Sequence, residues 1–308
     1  MFPSSRIAII GAGHVGAAAA YALMLSGLVA ELVLIDADAA RAAAEATDIA
    51  DATAIVRPTR IRAGDYADVR DAAILVVTAG AATQDGEPRT AVAARSAAIV
   101  RECIDRAMAA GFAGILVVAS NPADAMTQIA QQTSGLPPAR VIGTGTLLDS
   151  NRFRKRVADR LGIAPGAVEA LVLGEHGDSE VVAYSTVRIG AMGLDAYLDG
   201  QSFDRAAIAQ DVMRAGYVIS EGKGHTAYGI ATAILRICEA VCRDERVVLP
   251  VSTLATGQYG IDGVYLGLPC LIGAGGVLLI LTPVLDDGER GALRASADVL
   301  RDMLRHAG

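Results

Sequence analysis

The chain is poor in lysine. Of its 27 basic residues only Lys155 and Lys223 are lysines, and the rest are arginines. Schiff-base chemistry needs a lysine amine, so little choice exists for it. Arginine instead suits planar recognition of carboxylates. Positive charge is also outnumbered, with a net charge of −7 and no clustered basic stripe. Binding to nucleic acid or to an anionic membrane is therefore not expected. No run approaches the roughly 20 apolar residues that a membrane helix needs. The most apolar stretch, Leu271 to Leu281, is broken by Gly273, Gly275 and Gly276. Met1 to Arg6 leads almost directly into a strand, without the length of a signal peptide, so a cytoplasmic chain is expected. Cysteine is sparse too: Cys103, Cys238, Cys242 and Cys270. Cys238 and Cys242 stand one helical turn apart, but no His or carboxylate at ligand spacing completes a metal site. They read as buried free thiols in a reducing compartment, and no metal is expected.

Apolar residues, by contrast, are plentiful. They make up 53% of the 308 residues, against 20% charged, which is ample for a large core. Short apolar runs at Arg6–Ile10, Glu31–Ile35, Thr59–Ala63, Ala73–Thr78 and Gly114–Ala119 read as strands. Helical stretches at about His14–Leu25, Ala37–Ala52 and Thr90–Ala110 separate them. Strands that are apolar throughout and alternate with helices imply a parallel sheet covered on both faces. The second half reads differently. Helices are expected at Thr146–Leu161, Phe203–Ile219 and Thr226–Cys242, with a charged amphipathic one from about Asp286 to Arg305. Strands are expected at Val168–Leu173, Val181–Ile189, Val247–Ala255, Gly263–Ile272 and Val277–Leu281. The fold class is α/β: a doubly wound parallel sheet in a domain of residues 1–145, then an α+β domain of residues 146–308.

Gly11-Ala12-Gly13-His14-Val15-Gly16 is a GxGxxG turn between the first strand and first helix, and Asp36 ends the next strand 20 residues after Gly16. That context marks a Rossmann dinucleotide site. Gly11 allows the tight turn, Gly13 leaves room for a pyrophosphate, and Gly16 lets helix and sheet pack closely. The helix N-terminus presents free N–H groups to phosphate. Asp36 can accept hydrogen bonds from ribose hydroxyls and would repel a 2′-phosphate, so NAD is the expected cofactor.

Three polar clusters remain: Gly86-Glu87-Pro88-Arg89, Leu148 to Arg154, and Gly174-Glu175-His176-Gly177-Asp178-Ser179. The segments GAGHVG, TAG…GEPR, SNPAD, GTGTLLDSNRFR, GEHGDSE, KGHTAYGI and GVYLGLP follow one another in an order that resembles the L-lactate and malate dehydrogenase family. The resemblance covers practically the whole chain, and GTGTLLDS is more similar to the lactate branch. It implies an NAD-dependent oxidoreductase interconverting an (S)-2-hydroxy acid and a 2-oxo acid. It makes His176 the proton-transferring base, Asp149 the carboxylate that holds its tautomer, and Arg152 the bidentate partner of the substrate carboxylate. Arg89 becomes the loop residue that polarises the carbonyl. Asn121 and Thr226 would line nicotinamide and substrate, and Thr78, Ala79 and Gly80 the cofactor. It also implies a homodimer or homotetramer. An imidazole suits proton transfer near neutral pH. Of the other histidines, His14 lies in the glycine turn, His225 could border the pocket, and His306 is terminal.

Substrate choice is less plain. The resemblance puts the deciding residue at Thr83, where Gln goes with pyruvate and Arg with oxaloacetate. Without the Arg, a second carboxylate would be left unpaired, which speaks against malate. Thr83 leaves two readings open: Gln84 shifts inward to give a lactate pocket, or the space admits bulkier acids such as 2-oxoisocaproate and phenylpyruvate. At the position where sugar-bisphosphate-activated relatives carry a His, the resemblance puts Glu169, while Arg154 keeps the basic residue of that site. An acidic residue there would repel phosphate, so no such activation is expected. Two rivals are a non-catalytic NAD-binding module, which would lack some reacting residues, and an NAD-dependent glycoside hydrolase, which would need a metal site.

Overall fold

A computed structural model describes residues 6–81 and 89–307 of the chain. Thr83, Gln84 and the Gly86 to Pro88 stretch lie outside the described residues, as do the side chains of Arg89 and His306. The chain runs β1 (Arg6–Ile10), α1 (His14–Ser26), β2 (Glu31–Ile35), α2 (Ala39–Ala52), β3 (Arg60–Ala63), β4 (Ala72–Val77) and α3 (Arg89–Ala109). It continues through β5 (Ile115–Val118), α4 (Ala123–Ser134), β6 (Val141–Gly143), α5 (Leu147–Leu161), β7 (Val168–Leu173), β8 (Val181–Ile189) and β9 (Met192–Gly193). It ends with α6 (Leu194–Leu198), α7 (Arg205–Lys223), α8 (Tyr228–Cys242), β10 (Val247–Thr256), β11 (Asp262–Gly273), β12 (Gly276–Ile280) and α9 (Asp287–Ala307).

The strands at the centre are apolar on both faces because both faces are covered. Ile7 and Ile9 of β1 join Ile74 and Val76 of β4 in one core with α1 and α8. The alternate residues Ala8, Ile10, Leu75 and Val77 join a second core with α3 and α4. The six strands β3-β2-β1-β4-β5-β6 pair in parallel. α1 packs on α8 through small residues, and its Ala19 and Ala20 are fully buried.

Four elements escape the sequence reading: α4, the three-residue β6, the two-residue β9 and the five-residue α6. Of these, β6 matters most for connectivity. β6 pairs antiparallel with β10, so β10, β11 and β12 extend the first-half sheet to nine strands. A separate three-stranded sheet, β7-β8-β9, packs with α5, α6 and α7 around a smaller core that includes Phe153, Val187 and Val212. The four cysteines are free, and all but Cys242 are buried.

Candidate active site

The glycine turn is shaped by what surrounds it. Gly11 has φ +102°, and a Cβ on it would lie 2.7 Å from Thr78 Oγ1. Thr78 Oγ1 itself donates to the carbonyl of Gly11 at 2.9 Å. A Cβ on Gly16 would lie 1.8 Å from the Gly11 carbonyl oxygen. Gly13 differs: nothing stands within 4 Å of where its Cβ would be. That open space faces a cavity of about 830 Å³. A dinucleotide pyrophosphate fits such a cradle at the start of α1, where free N–H groups point outward.

Of the expected cofactor residues, Gly13, His14, Val15, Gly16, Thr78, Gly80 and Asn121 line this cavity. Gly11 and Ala79 stand behind its wall, and Ala79 accepts a hydrogen bond from Ser120 Oγ at 2.6 Å. Asp36 ends β2. Its Oδ2 accepts from Ala12 N at 2.6 Å and its Oδ1 from Asp38 N at 2.9 Å. A carboxylate has roughly four acceptor positions, so capacity for ribose hydroxyls remains.

The same cavity contains the second group of residues. Asp149 and Arg152 lie one turn apart in the first half of α5. His176 arrives on the loop after β7. Gly174 holds this loop in place by exchanging two backbone hydrogen bonds with Gly267 of β11, at 2.9 and 2.7 Å. Neither glycine tolerates a side chain: a Cβ would meet Ser296 Oγ at 2.7 Å or Thr146 Oγ1 at 2.4 Å. Nδ1 of His176 lies 2.5 Å from Oδ2 of Asp149. Arg152 Nη1 donates to the other oxygen, Oδ1, at 2.8 Å. Asp149 is thus shared between an imidazole and a guanidinium while only 1% exposed. Burial alone would raise its pKa, but the charges and hydrogen bonds of His176 and Arg152 outweigh that and hold it low. The negative charge of Asp149 pushes His176 up to about 9, against the opposing effect of burial. Beside Arg152, α7 carries Gly216, whose Cβ would approach the guanidinium only to 3.9 Å. The remaining N–H donors of Arg152 therefore face open space, as carboxylate binding requires. Thr226 lines the same space.

Three carboxyls went unassigned in the sequence reading. Asp124, at the start of α4, is 1% exposed and accepts from the backbone N–H of His176 at 2.7 Å. Burial raises its pKa to about 6. Glu175 is 8% exposed, and its Oε2 accepts from both the hydroxyl and the backbone N–H of Ser179. The Glu175 backbone N–H donates to Ser296 Oγ of α9 at 2.8 Å. Glu180 lines the cavity, and burial pushes it up to about 8. SNPAD and GEHGDSE contain all three residues, but spacing alone does not show which buried atom each would meet.

Comparison with known proteins gives the arrangement a lineage. The lactate/malate dehydrogenase NAD-binding domain matches residues 5–143, and the alpha/beta C-terminal domain of the same family matches residues 146–307. The chain belongs to the lactate/malate dehydrogenase family. It is 42% identical over 301 residues to the L-lactate dehydrogenase of Thermus aquaticus, covering 96% of this chain and 97% of that one. It is 43% identical over 303 residues to the L-lactate dehydrogenase of Allorhizobium ampelinum, covering 97% and 98%. The ligands-bound minor L-lactate dehydrogenase of Enterococcus mundtii superposes with a TM-score of 0.97 at 37% identity, covering 99% of each chain.

Proposed function

We propose that this chain is an NAD-dependent L-lactate dehydrogenase, interconverting L-lactate and pyruvate. One observation carries the reading: the His176–Asp149–Arg152 chain of contacts opens into the cavity that begins at the glycine turn. Bound NAD supplies the hydride acceptor during lactate oxidation. With its Nδ1 proton held on Asp149, neutral His176 offers the Nε2 lone pair to the lactate hydroxyl proton. Arg152 grips the lactate carboxylate and so fixes C2 relative to that nitrogen. Asp149 stabilises the imidazolium that results. In the reverse direction the imidazolium returns its proton to the oxygen of pyruvate. Arg89 completes the set by polarising the carbonyl, and Asn121 and Thr226 line the reacting ends. Residues 1–145 form the cofactor domain and residues 146–308 the substrate domain in this reading.

The segment of Thr83 and Gln84 reads the substrate side chain. In the first reading Gln84 supports pyruvate. The alternative, bulkier 2-oxo acids, rests on the small Thr83. Kinetics with pyruvate, oxaloacetate, 2-oxoisocaproate and phenylpyruvate test this: pyruvate should give the highest kcat/KM. A higher value with oxaloacetate would sink the reading. In the same assay His176→Asn should lose turnover by about two orders of magnitude or more while still binding NADH. Full turnover in that variant would remove the proposed mechanism.

A cytoplasmic homo-oligomer is part of the proposal. Large apolar side chains stand exposed along α7, at Tyr217, Val218 and Ile219, and beyond α2, at Ile55 and Val56. Such surface supports burial against another copy. Among the described residues no helix is long and apolar enough to cross a membrane.

A further inference from the structure

Two histidines that the proton transfer does not use meet in the same cavity. His14 is the first residue of α1, next to Gly13 in the turn. His225 lies in the connection from α7 to α8, next to Thr226. Their rings stack, with centroids 3.8 Å apart and planes 12° from parallel. Both line the cavity. The stack therefore joins its two walls, the glycine turn on one side and the Thr226 segment on the other.

The charged side chains acting on His225 are of one sign. Lys223 stands in the last turn of α7, over the ring of Tyr228 at 4.2 Å in the first turn of α8. The N-terminus of α1 adds a partial positive charge under His14. Desolvation at the stacked face, then repulsion from His14 and Lys223, hold His225 below the ordinary imidazole value. The charged side chains acting on it include no carboxylate. Two stacked imidazoles also resist holding two protons at once. His225 is thus held toward its uncharged form beside the cationic Lys223. An anion brought to the turn would reverse that balance.

We propose that His14 and His225 together form a proton-linked clamp on the cofactor pyrophosphate, taking up a proton from solvent as the dinucleotide binds. The inference rests on the NAD reading above. No covalent bond changes; one solvent proton moves onto an imidazole nitrogen, and its charge offsets one phosphate charge. Because binding raises the affinity of the pair for that proton, falling pH must tighten cofactor binding in turn. A rise of one unit in the pKa of the pair corresponds to about a tenfold gain in affinity across the titration.

The test is NADH binding, followed by nucleotide fluorescence from about pH 5.5 to about pH 8.5, the range over which histidine titrates. The wild-type protein should bind NADH up to about tenfold more tightly at the acid end. A His14→Gln/His225→Gln variant should bind at the weaker, high-pH level throughout. His176 titrates in both proteins, so the difference between them isolates the pair. Imidazole proton resonances of the unliganded wild type should place His225 below the ordinary value, and NADH should move it upward. A flat wild-type profile, or an equal slope in the double variant, overturns the inference while leaving NAD as cofactor. No NADH binding at any pH overturns the cofactor reading and this inference with it. If the double variant folds poorly, His225→Gln alone decides, because it removes the stack and should flatten most of the slope.

Discussion

His176 holds its proton more tightly than a histidine in water does, and its neighbours explain why. Asp149 lies 2.5 Å from its ring, and Asp124 accepts from its backbone N–H. A pKa raised to about 9 means the ring is charged at neutral pH. In the proposed mechanism the charged form donates to pyruvate, so reduction should fall as pH rises through about 9. Lactate oxidation needs the neutral form and should rise across the same interval. Asp124→Asn removes one of the negative charges that favour the imidazolium. The reduction limb of the kcat/KM profile should then move to lower pH. An unmoved limb would show that the Asp124 charge does not reach the ring. His176, Asp149 and Arg152 were singled out in the sequence through the family resemblance that the motifs GEHGDSE and GTGTLLDSNRFR carry. The role of Asp124 was not: its partner is a backbone group 52 residues away.

Among the elements, the glycine turn separates two kinds of need. Gly13 borders open cavity, whereas the Cβ of any other residue at position 16 would overlap the Gly11 carbonyl oxygen. Gly13→Ala should therefore keep a near wild-type Tm and lose NADH affinity. Gly16→Ala should lower Tm by several degrees or more, since about 1 kcal/mol shifts a domain of ~150–250 residues by roughly 2–4 °C. Calorimetry with and without NADH distinguishes the two, and equal Tm losses would refute the distinction. The β strands of the first half were readable because burial on both faces leaves runs such as Ala72–Val77 without polar interruption. α4 was not readable, because Thr127, Gln128, Gln131 and Gln132 dilute its apolar stripe. Thr127 and Gln131 are satisfied locally, by Ala123 O and Leu136 O, and a tertiary contact absorbs Gln128, whose Oε1 accepts from Tyr265 N of β11 at 3.1 Å. β6, with three residues, is too short to show a period.

For the molecule as a whole, charge placement bears on control. Arg154 does not stand free for phosphate. Its Nε donates to the Ala170 carbonyl at 3.2 Å, and Glu169 is the charge acting on it. Fructose 1,6-bisphosphate should therefore leave the KM for pyruvate unchanged, and a clear fall in KM would contradict this. The sequence by itself determined the order of the elements from β1 to β5, the dinucleotide turn and the residue types of the polar motifs. Local patterns suffice there, because period, glycine placement and motif spacing act within a few residues. Only the tertiary structure decided that β10 to β12 complete the first-half sheet. It alone brought Asp149 and His176, 27 residues apart, into contact, and it alone stacked His14 on His225. Those contacts depend on where strands end and how closely glycines such as Gly174 and Gly267 approach, which the whole packed chain sets.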